Sequence, residues 1–328
     1  MKKLAIAYDR ARAVDLIGPA QHARLAELCE VVNATPLTSF DGFDLSQVEV
    51  LLTSWGCPKL DADVLARAPA LRMVAYAAGT VKPVVSDAFW ERGIAISSAA
   101  AANAIPVAEY ALAMILLANK NAFATRERYR QERNLRFPVK PPAGDAGNYG
   151  AVVGIIGASR TGRRLIELLR PFELQVIVYD PYMTAADAAA LRVEKVELDD
   201  LLRRSRIVSL HAPITPKTVG MIGARQLGLM RDGATFINTA RGVLVDHEAL
   251  AAELRSGRIT AVLDVTHPEP LPPDSPLFDL AFVTPHIAGG LGFETRRLTD
   301  LAIDEIARHL RGDKLEHQVT RDMLDRIG

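Results

Sequence analysis

Short apolar runs alternate along the chain with amphipathic stretches whose apolar residues recur three and four positions apart. The runs are rich in valine and isoleucine, and this alternation predicts parallel strands that are connected by helices. In the first hundred residues we expect helices over about 20–30, 61–67 and 86–92, and strands over 4–8, 29–33, 50–54, 73–77 and 94–97. The fold class of this region is therefore α/β.

A second series of the same kind begins at residue 152. Helical patterns begin near residues 162, 184, 198 and 247, and apolar runs predict strands over 152–156, 175–179, 207–210, 236–238, 261–265 and 281–283. A last amphipathic stretch, 295–310, predicts a helix that returns to the first series. For a chain of 328 residues we therefore expect two α/β domains, each with a doubly wound parallel sheet.

One continuous helical pattern, residues 103–131, lies between the two series. Its first half is more apolar than a surface helix needs, which predicts burial between domains or subunits. Its second half carries a run of charged residues between Arg126 and Arg133, for which a solvated, salt-bridged face and a contact with an acidic ligand both stay open. Residues 137–147 contain three prolines and two glycines and predict a loop that leads into the second series.

The composition and charge are those of a globular protein and do not favour binding to nucleic acid or anionic membranes. The chain is 49% hydrophobic and 24% charged, which is typical of a globular protein. Lysine plus arginine and aspartate plus glutamate both number 39, so the basic excess of proteins that bind nucleic acid or anionic membranes is missing. Cys29 and Cys57 have neither metal-ligand nor disulfide spacing, and they fit a reducing cytosol.

The sequence predicts neither a signal peptide nor a membrane-spanning helix. The N-terminal apolar run stops at Asp9, too early for a signal peptide. The longest apolar stretch, 111–118, is shorter than the ~20 residues that a span needs. The histidines also show no short metal-ligand spacing. We therefore expect a cytoplasmic protein without a metal, a membrane partner or a nucleic-acid partner.

A predicted strand, tight turn and helix follow one another around Gly157, as in a dinucleotide-binding unit. That turn asks for three glycines, one for the sharp turn, one for close approach of the pyrophosphate and one for helix packing. Gly157 and Gly162 stand at the first and third positions. Ser159 stands at the middle one, where its Cβ would crowd a phosphate and its hydroxyl could donate to it. The N–H groups of Arg160 and Thr161 would point toward the phosphates.

Asp180 ends the next predicted strand, where such a unit places the acid that binds the adenosine ribose. A carboxylate there accepts from the 2′-hydroxyl and repels a 2′-phosphate, so the sequence favours NAD over NADP. An ordinary turn of some other α/β protein is the alternative for the glycine pattern alone. The strand context and Asp180 both count against that alternative.

Three residues with the chemistry for carbonyl reduction follow predicted strands: Arg241, Glu269 and His286. Hydride transfer to a carbonyl needs a proton donor near the developing alkoxide, and a histidine beside a carboxylate is suited to that task. An arginine binds a substrate carboxylate through two parallel hydrogen bonds. Each residue alone has a structural alternative: a buried or structural histidine, a helix-capping arginine and a solvated loop glutamate. Their shared position at one edge of a nucleotide-binding sheet favours a catalytic set.

Five motifs resemble the D-isomer-specific 2-hydroxyacid dehydrogenases over nearly the whole chain. They are NAIPVAEYAL (103–112), LHAPITPKT (210–218), NTARGVLVD (238–246), LDVTHPEP (263–270) and TPHIAGG (284–290). The resemblance implies a flavodoxin-like catalytic domain over 1–102 plus 296–328 and a Rossmann NAD-binding domain over 103–295. It also implies a homodimer, with the long helix in the interface.

The resemblance implies roles for the candidate residues. Arg241 would bind the substrate's carboxylate and carbonyl, and His286, paired with Glu269, would protonate the keto oxygen as hydride arrives from the nicotinamide. The backbone of a loop after the fourth predicted strand would bind the carboxylate, and further residues would lie at the cofactor. That loop is Ala78, Gly79 and Thr80, and those further residues are His211, Thr239 and Asp264.

Two departures from the family pattern bear on ligands. Ser159 replaces the middle glycine, which bears on cofactor affinity. After Gly79 many members continue with an aspartate, whereas this chain continues with Thr80, Val81 and Lys82. We therefore hypothesise that Lys82 favours a second anionic group on the substrate, the alternative being an exposed surface lysine.

Other functions stay open on the same fold. One is an NAD-sensing regulatory protein, because a fold does not fix a function. Another is oxidation of phosphite. Formate oxidation is disfavoured because the formate enzymes carry glutamine where this chain has Glu269.

Overall fold

The protein is described by a computed structural model over residues 1–134, 136 and 146–324. The chain forms two compact units, Met1–Ala104 with Gly290–Gly328, and Ile105–Gly289. Both units are built on parallel sheets flanked by helices, which confirms the predicted α/β class.

The first unit contains a five-stranded parallel sheet in the order β2-β1-β3-β4-β5. Its elements are β1 Lys2–Ala7, α1 Pro19–Leu28, β2 Cys29–Val31, β3 Val50–Thr53, α2 Ala62–Arg67, β4 Met73–Tyr76, α3 Asp87–Glu91 and β5 Ala95–Ser98. Successive strand residues point to opposite faces, so Leu4 and Ile6 enter one core while Ala5 and Ala7 enter the other. Burial on both faces explains why these strands appear in the sequence as continuous apolar runs.

The second unit contains a seven-stranded parallel sheet in the order β12-β11-β10-β9-β6-β7-β8. Its helices are α4 Ala100–Asn119, which begins in the first unit, α5 Ala122–Glu132, α6 Arg160–Leu169, α7 Ala185–Leu191, α8 Leu198–Arg204, α9 Ala224–Leu229, α10 His247–Arg255 and α11 Leu277–Leu280. Its strands are β6 Val152–Ile156, β7 Gln175–Tyr179, β8 Glu194–Lys195, β9 Ile207–Leu210, β10 Thr235–Asn238, β11 Thr260–Leu263 and β12 Phe282–Val283.

The strand order reverses beside β6, which pairs with β7 on one side and β9 on the other. In open parallel sheets this reversal opens a crevice at the carboxyl ends of the strands, where ligands bind. The amphipathic pattern over 295–310 predicted a helix, and the structure has α12 Thr295–Arg311 there, in the first unit. Leu298, Ala302 and Ile306 of α12 are buried in the core of that unit.

The helix predicted over 103–131 is wrong as a single element, because the chain breaks it between α4 and α5. Asn121 adopts a left-handed conformation with φ of 52°, which asparagine tolerates better than most residues. No residue of α5 is buried. Ion pairs join Arg128 to Glu132 at 2.8 Å and Arg130 to Glu127 at 2.7 Å, so the solvated, salt-bridged alternative describes this face. The predicted loop 137–147 lies mostly outside the described residues.

Helix α4 is more apolar than the stretch 111–118 suggested. Among the described residues it is the one helix long and apolar enough to cross a membrane by length and composition, with a mean hydropathy of 1.6 over its most apolar window. One third of that window is buried. The buried side is a stripe of small and branched residues that packs with β6 and α6: Ala108, Ala111, Ile115 and Ala118. Core helices of globular proteins have this same composition, so the window alone is weak evidence for a span.

Candidate active site

The predicted dinucleotide turn lies between β6 and α6. Gly157 has a φ of 96°, and a Cβ there would lie 2.8 Å from the backbone nitrogen of Ala212. A Cβ on Gly162 would lie 2.1 Å from the carbonyl oxygen of Gly157. Both contacts involve backbone atoms that cannot move aside cheaply. Glycine is therefore required at the turn and where the helix meets the strand.

Ser159 caps helix α6. Its Oγ accepts the N–H of Gly162 at 3.3 Å, and its backbone is extended with φ −63° and ψ 179°. The serine thus satisfies one of the N–H groups that a helix start leaves without an intrahelical acceptor. Arg160 and Thr161 form the first turn of this ten-residue helix, so their N–H groups lie at its positive end. A capping role for the serine was not predicted.

Asp180 follows β7 directly and its carboxylate lies at the dinucleotide turn. Oδ2 accepts the N–H of Ala158 at 2.7 Å, and Oδ1 accepts the N–H of Tyr182 at 2.8 Å. The two backbone bonds fix the carboxylate beside the residue that follows Gly157. An acid held there has the position that the sequence pattern expects for a ribose partner.

His211 and Thr239 follow β9 and β10, the two strands on the other side of β6. His211 is buried, its Nε2 lies 2.8 Å from Ser209 Oγ, and burial lowers its pKa to about 4, so the ring is neutral. The ring is hydrogen-bonded within the protein through Nε2. The hydroxyl of Thr239 is buried without a hydrogen-bond partner. An orphaned hydroxyl at this edge fits a polar ligand, because a buried polar group without a partner is costly.

Glu269 and His286 form a close pair in the second unit. Glu269 Oε1 lies 2.6 Å from His286 Nδ1, and their side chains are 43% and 44% exposed, so a ligand can reach both. The bond fixes the ring through Nδ1 and leaves Nε2 as the nitrogen for a substrate. His286 has a φ of 56°, a left-handed conformation that is uncommon for a residue with a side chain. The pairing that the motifs implied is therefore present as a hydrogen bond.

Arg241 lies between β10 and a short 3-10 helix, Gly242–Leu244. Its Nη1 donates to the carbonyl of Ala240 at 2.6 Å. Burial lowers the pKa of Arg241, and the charge of Glu269 acts in the opposite direction. A partly buried guanidinium gains more from an anionic ligand than one in water does.

Gly242 allows the Arg241 turn to approach the segment that leads to Glu269. A Cβ on Gly242 would lie 2.0 Å from the carbonyl carbon and oxygen of Thr266 and 2.5 Å from the nitrogen of His267. Three residues further on, the chain reaches Glu269. The glycine after the arginine is thus a packing requirement of the site that motif reasoning missed.

Asp264 is buried and holds the loop that carries His286. Its carboxylate accepts the hydroxyl of Thr284 at 2.7 Å and the N–H groups of Ile287 and Ala288, both at 2.9 Å. Its carbonyl accepts the N–H of His286 at 2.8 Å. The family resemblance implies a place for Asp264 at the nicotinamide end of the cofactor, and the structure shows that its carboxylate makes these loop contacts.

The loop predicted to bind the substrate's carboxylate follows β4 in the first unit. Ala78 is buried, whereas Gly79 and Thr80 are partly exposed, and a Cβ on Gly79 would meet no atom within 4 Å. The hydroxyl of Ser98 donates to the carbonyl of Gly79. Lys82 is exposed, and its backbone N–H donates to Thr80 Oγ1 at 3.4 Å. The loop backbone therefore borders open space.

Across the residues that the structure describes, no cluster of three or more histidine, cysteine, aspartate or glutamate side chains has the geometry to hold a metal ion.

The fold and site define a two-unit α/β protein with a nucleotide-binding sheet. Residues 112–288 match the family model of the D-isomer specific 2-hydroxyacid dehydrogenase, NAD binding domain. The chain belongs to the D-isomer-specific 2-hydroxyacid dehydrogenase family, and its cofactor is NAD.

Relatives in this family differ in the substrate that their names give. The D-3-phosphoglycerate dehydrogenase of Mycobacterium leprae is 38% identical over 257 residues, which cover 77% of this chain and 47% of that protein. The (S)-sulfolactate dehydrogenase of Chromohalobacter salexigens is 35% identical over 256 residues, 77% of this chain and 82% of that protein. A solved phosphoglycerate oxidoreductase from Rhizobium etli has a TM-score of 0.81 and 28% identity, and the match covers 97% of this chain and 99% of that one. The chain spans about half the length of the curated phosphoglycerate relative.

Proposed function

We propose that the protein is an NAD(H)-dependent oxidoreductase that interconverts a small 2-keto acid and its D-2-hydroxy acid. The observation that carries this proposal is the 2.6 Å pair of Glu269 and His286 in the NAD-binding unit, which also contains Arg241. This set contains the proton donor, its carboxylate partner and the cation that reduction of a keto acid requires.

Each residue of the set has a distinct task in the proposed reaction. NADH, when bound, supplies the hydride to the carbonyl carbon. Arg241 binds the substrate's carboxylate and carbonyl oxygen, and His286 donates its proton from Nε2 to that oxygen as the alkoxide forms. Glu269 orients the ring through Nδ1 and stabilises the imidazolium before the proton leaves. In the oxidative direction His286 accepts the proton of the hydroxyl.

The remaining residues of the proposal bind ligands. Gly157, Ser159, the first turn of α6, Asp180 and Thr239 would hold NAD, and the fit is supported by the orphaned hydroxyl of Thr239. The backbone of the loop 78–80 would bind the substrate's carboxylate in the first unit, the proposed catalytic domain. The loop contacts of Asp264 support a positioning task, and its place at the nicotinamide stays a prediction.

The proposal is tested by following NADH consumption with glyoxylate, hydroxypyruvate, pyruvate, 2-ketoglutarate, oxaloacetate and bulkier 2-keto acids. Turnover that is lost in Arg241→Ala supports the assignment. NADH binding without turnover on any acid would favour a regulatory protein, and NAD reduction by phosphite alone would favour the phosphite alternative.

We expect the protein to bind NADH about 10- to 100-fold more tightly than NADPH, because a hydrogen bond to a charged group contributes about 1.5–3 kcal/mol. Asp180→Asn keeps an acceptor for Ala158 but removes the negative charge, so the ratio of the two dissociation constants should fall. Asp232→Asn, at a side chain that is 85% exposed, is the matched control and should leave the ratio unchanged. Equal binding of both cofactors by the wild-type protein would contradict the role of Asp180.

We further propose that Lys82 favours substrates with a second anionic group, as the names phosphoglycerate and sulfolactate carry in two relatives. Lys82→Ala should lower kcat/KM for di-anionic 2-keto acids about 2- to 5-fold relative to mono-anionic ones, the range of an exposed ion pair. Lys314→Ala removes an exposed lysine of the same unit and serves as control. An unchanged ratio in Lys82→Ala would show that this lysine does not select the substrate.

We also propose a cytoplasmic homodimer with no nucleic-acid or membrane partner. The outward side of α4 supports self-association, since Leu117 is 42% exposed on a helix whose other side is core. The balanced charge supports the lack of a nucleic-acid or membrane partner. The two free thiols, Cys29 and Cys57, support a reducing cytoplasm.

A further inference from the structure

A chain of hydrogen bonds links helix α4 to the loop that carries His286. The hydroxyl of Tyr110, on α4, lies 2.8 Å from Thr284 Oγ1, and Thr284 Oγ1 lies 2.7 Å from Asp264 Oδ1. All three residues belong to the second unit. Tyr110 and Thr284 lie in the motifs 103–112 and 284–290, but no role was predicted for either side chain.

The direction of donation along these hydrogen bonds follows from which groups carry a proton. A carboxylate accepts hydrogen bonds and has no proton to give, and a threonine hydroxyl has one proton. Thr284 therefore donates to Asp264, and Tyr110 must donate to Thr284. Burial raises the pKa of Tyr110, and the charge of Asp264 raises it further, whereas the bond to Thr284 lowers it, so the phenol keeps its proton at neutral pH. Tyr110 is therefore the first donor in this series of hydrogen bonds.

Asp264 in turn holds the backbone of the catalytic loop. It accepts the N–H groups of Ile287 and Ala288 through its carboxylate and that of His286 through its carbonyl. His286 needs this support because a left-handed backbone is strained for a residue with a side chain. The orientation of the Asp264 carboxylate is thus coupled to the position of the imidazole.

We propose that Tyr110 is a positioning residue for His286, acting through Thr284 and Asp264. The proposal rests on the proposed function, since it assumes that His286 moves the proton. Tyr110 itself touches none of the proposed reacting groups. The Tyr110 hydroxyl keeps the Thr284 hydroxyl oriented so that it donates to Asp264 Oδ1. Without the Tyr110 hydroxyl, the Thr284 hydroxyl can rotate away, and Asp264 Oδ1 then loses one donor.

The first test removes the phenol hydroxyl and keeps the ring. Tyr110→Phe should lower kcat about 2- to 10-fold, the range of one hydrogen bond, while the dissociation constant of NADH and the melting temperature change little. Tyr129→Phe, on a tyrosine that is 56% exposed on α5, is the control and should match the wild type. A purely structural tyrosine would instead lower the melting temperature and leave kcat of the folded protein unchanged, and that result would overturn the proposal.

A double-mutant cycle tests the route. Thr284→Val removes the hydroxyl at similar volume, and in that background Tyr110→Phe should have no further effect on kcat. Thr284→Ser keeps the hydroxyl and should restore most of the activity. Independent effects that multiply in the double variant would contradict action through Thr284.

Amide hydrogen exchange separates this proposal from the proposed function. In Tyr110→Phe the N–H groups of Ile287 and Ala288 should exchange faster, and in Tyr129→Phe they should not. This readout needs no turnover, so a wild-type protein inactive on every keto acid would count against the proposed function alone. Unchanged exchange at both amides would overturn the positioning role.

Discussion

Replacing His286 with asparagine is expected to lower kcat for 2-keto acid reduction by about 10²- to 10⁴-fold, the contribution of a positioned general acid. Asparagine tolerates the left-handed backbone at this position, so the loop conformation should survive. The dissociation constant of NADH should change little, because the nucleotide-binding turn lies on other elements. Stopped-flow measurement of single turnovers gives the rate of the chemical step directly.

His22→Asn is the matched control, since His22 is exposed on α1 in the other unit. It should retain wild-type kcat. If His286→Asn retained kcat within a few-fold of the wild type, another group would have to donate the proton. The pairing with Glu269 would then be a structural contact only.

Replacing Gly242 with alanine is expected to disrupt both the stability of the second unit and the reaction. The new Cβ would lie 2.0 Å from backbone atoms of Thr266, so one of the two segments must move. Overpacking of this kind typically costs about 1–3 kcal/mol, and more where backbone must move. A displacement of about 1 Å between Arg241 and the Glu269 segment can cost about 10²-fold in rate. Thermal unfolding and kcat/KM measure the two effects.

Gly228→Ala provides the comparison, because a Cβ on Gly228 in α9 would meet no atom closer than Glu253 Oε1 at 4.0 Å. Alanine is the better helix former by about 1 kcal/mol, so this variant should be neutral or slightly more stable. Wild-type stability and activity in Gly242→Ala would show that the turn tolerates a side chain and that the close approach is not required.

The sheets were predictable because their strands are buried on both faces and therefore continuous in apolar residues. Strand β8 was missed because its two residues, Glu194 and Lys195, are exposed and carry no apolar signal. Helices α9 and α11 were missed because they are short, with Leu227 and Leu277 their only buried residues. The break at Asn121 was missed because no glycine or proline marks it in the sequence.

The candidate site was predictable to the level of which residues follow which strands. Parallel strands share a carboxyl edge, so Arg241 and His286 could be assigned to one edge from sequence. The family resemblance implied the contact of His286 with Glu269, but strand order alone could not predict it, because Glu269 lies in an irregular segment that follows the close approach of Thr266 to Gly242. The bond from Tyr110 to Thr284 depends on how α4 packs on the sheet, which no local pattern encodes.

The central claim is that hydride passes from NADH to the carbonyl carbon of a 2-keto acid and gives the D-hydroxy acid. The most direct measurement uses NADH deuterated at the transferring position with a 2-keto acid that the enzyme turns over. Mass spectrometry and chiral chromatography then analyse the product. The account predicts one deuterium on carbon 2 and the D configuration. A product without deuterium at carbon 2, or with the L configuration, would contradict it.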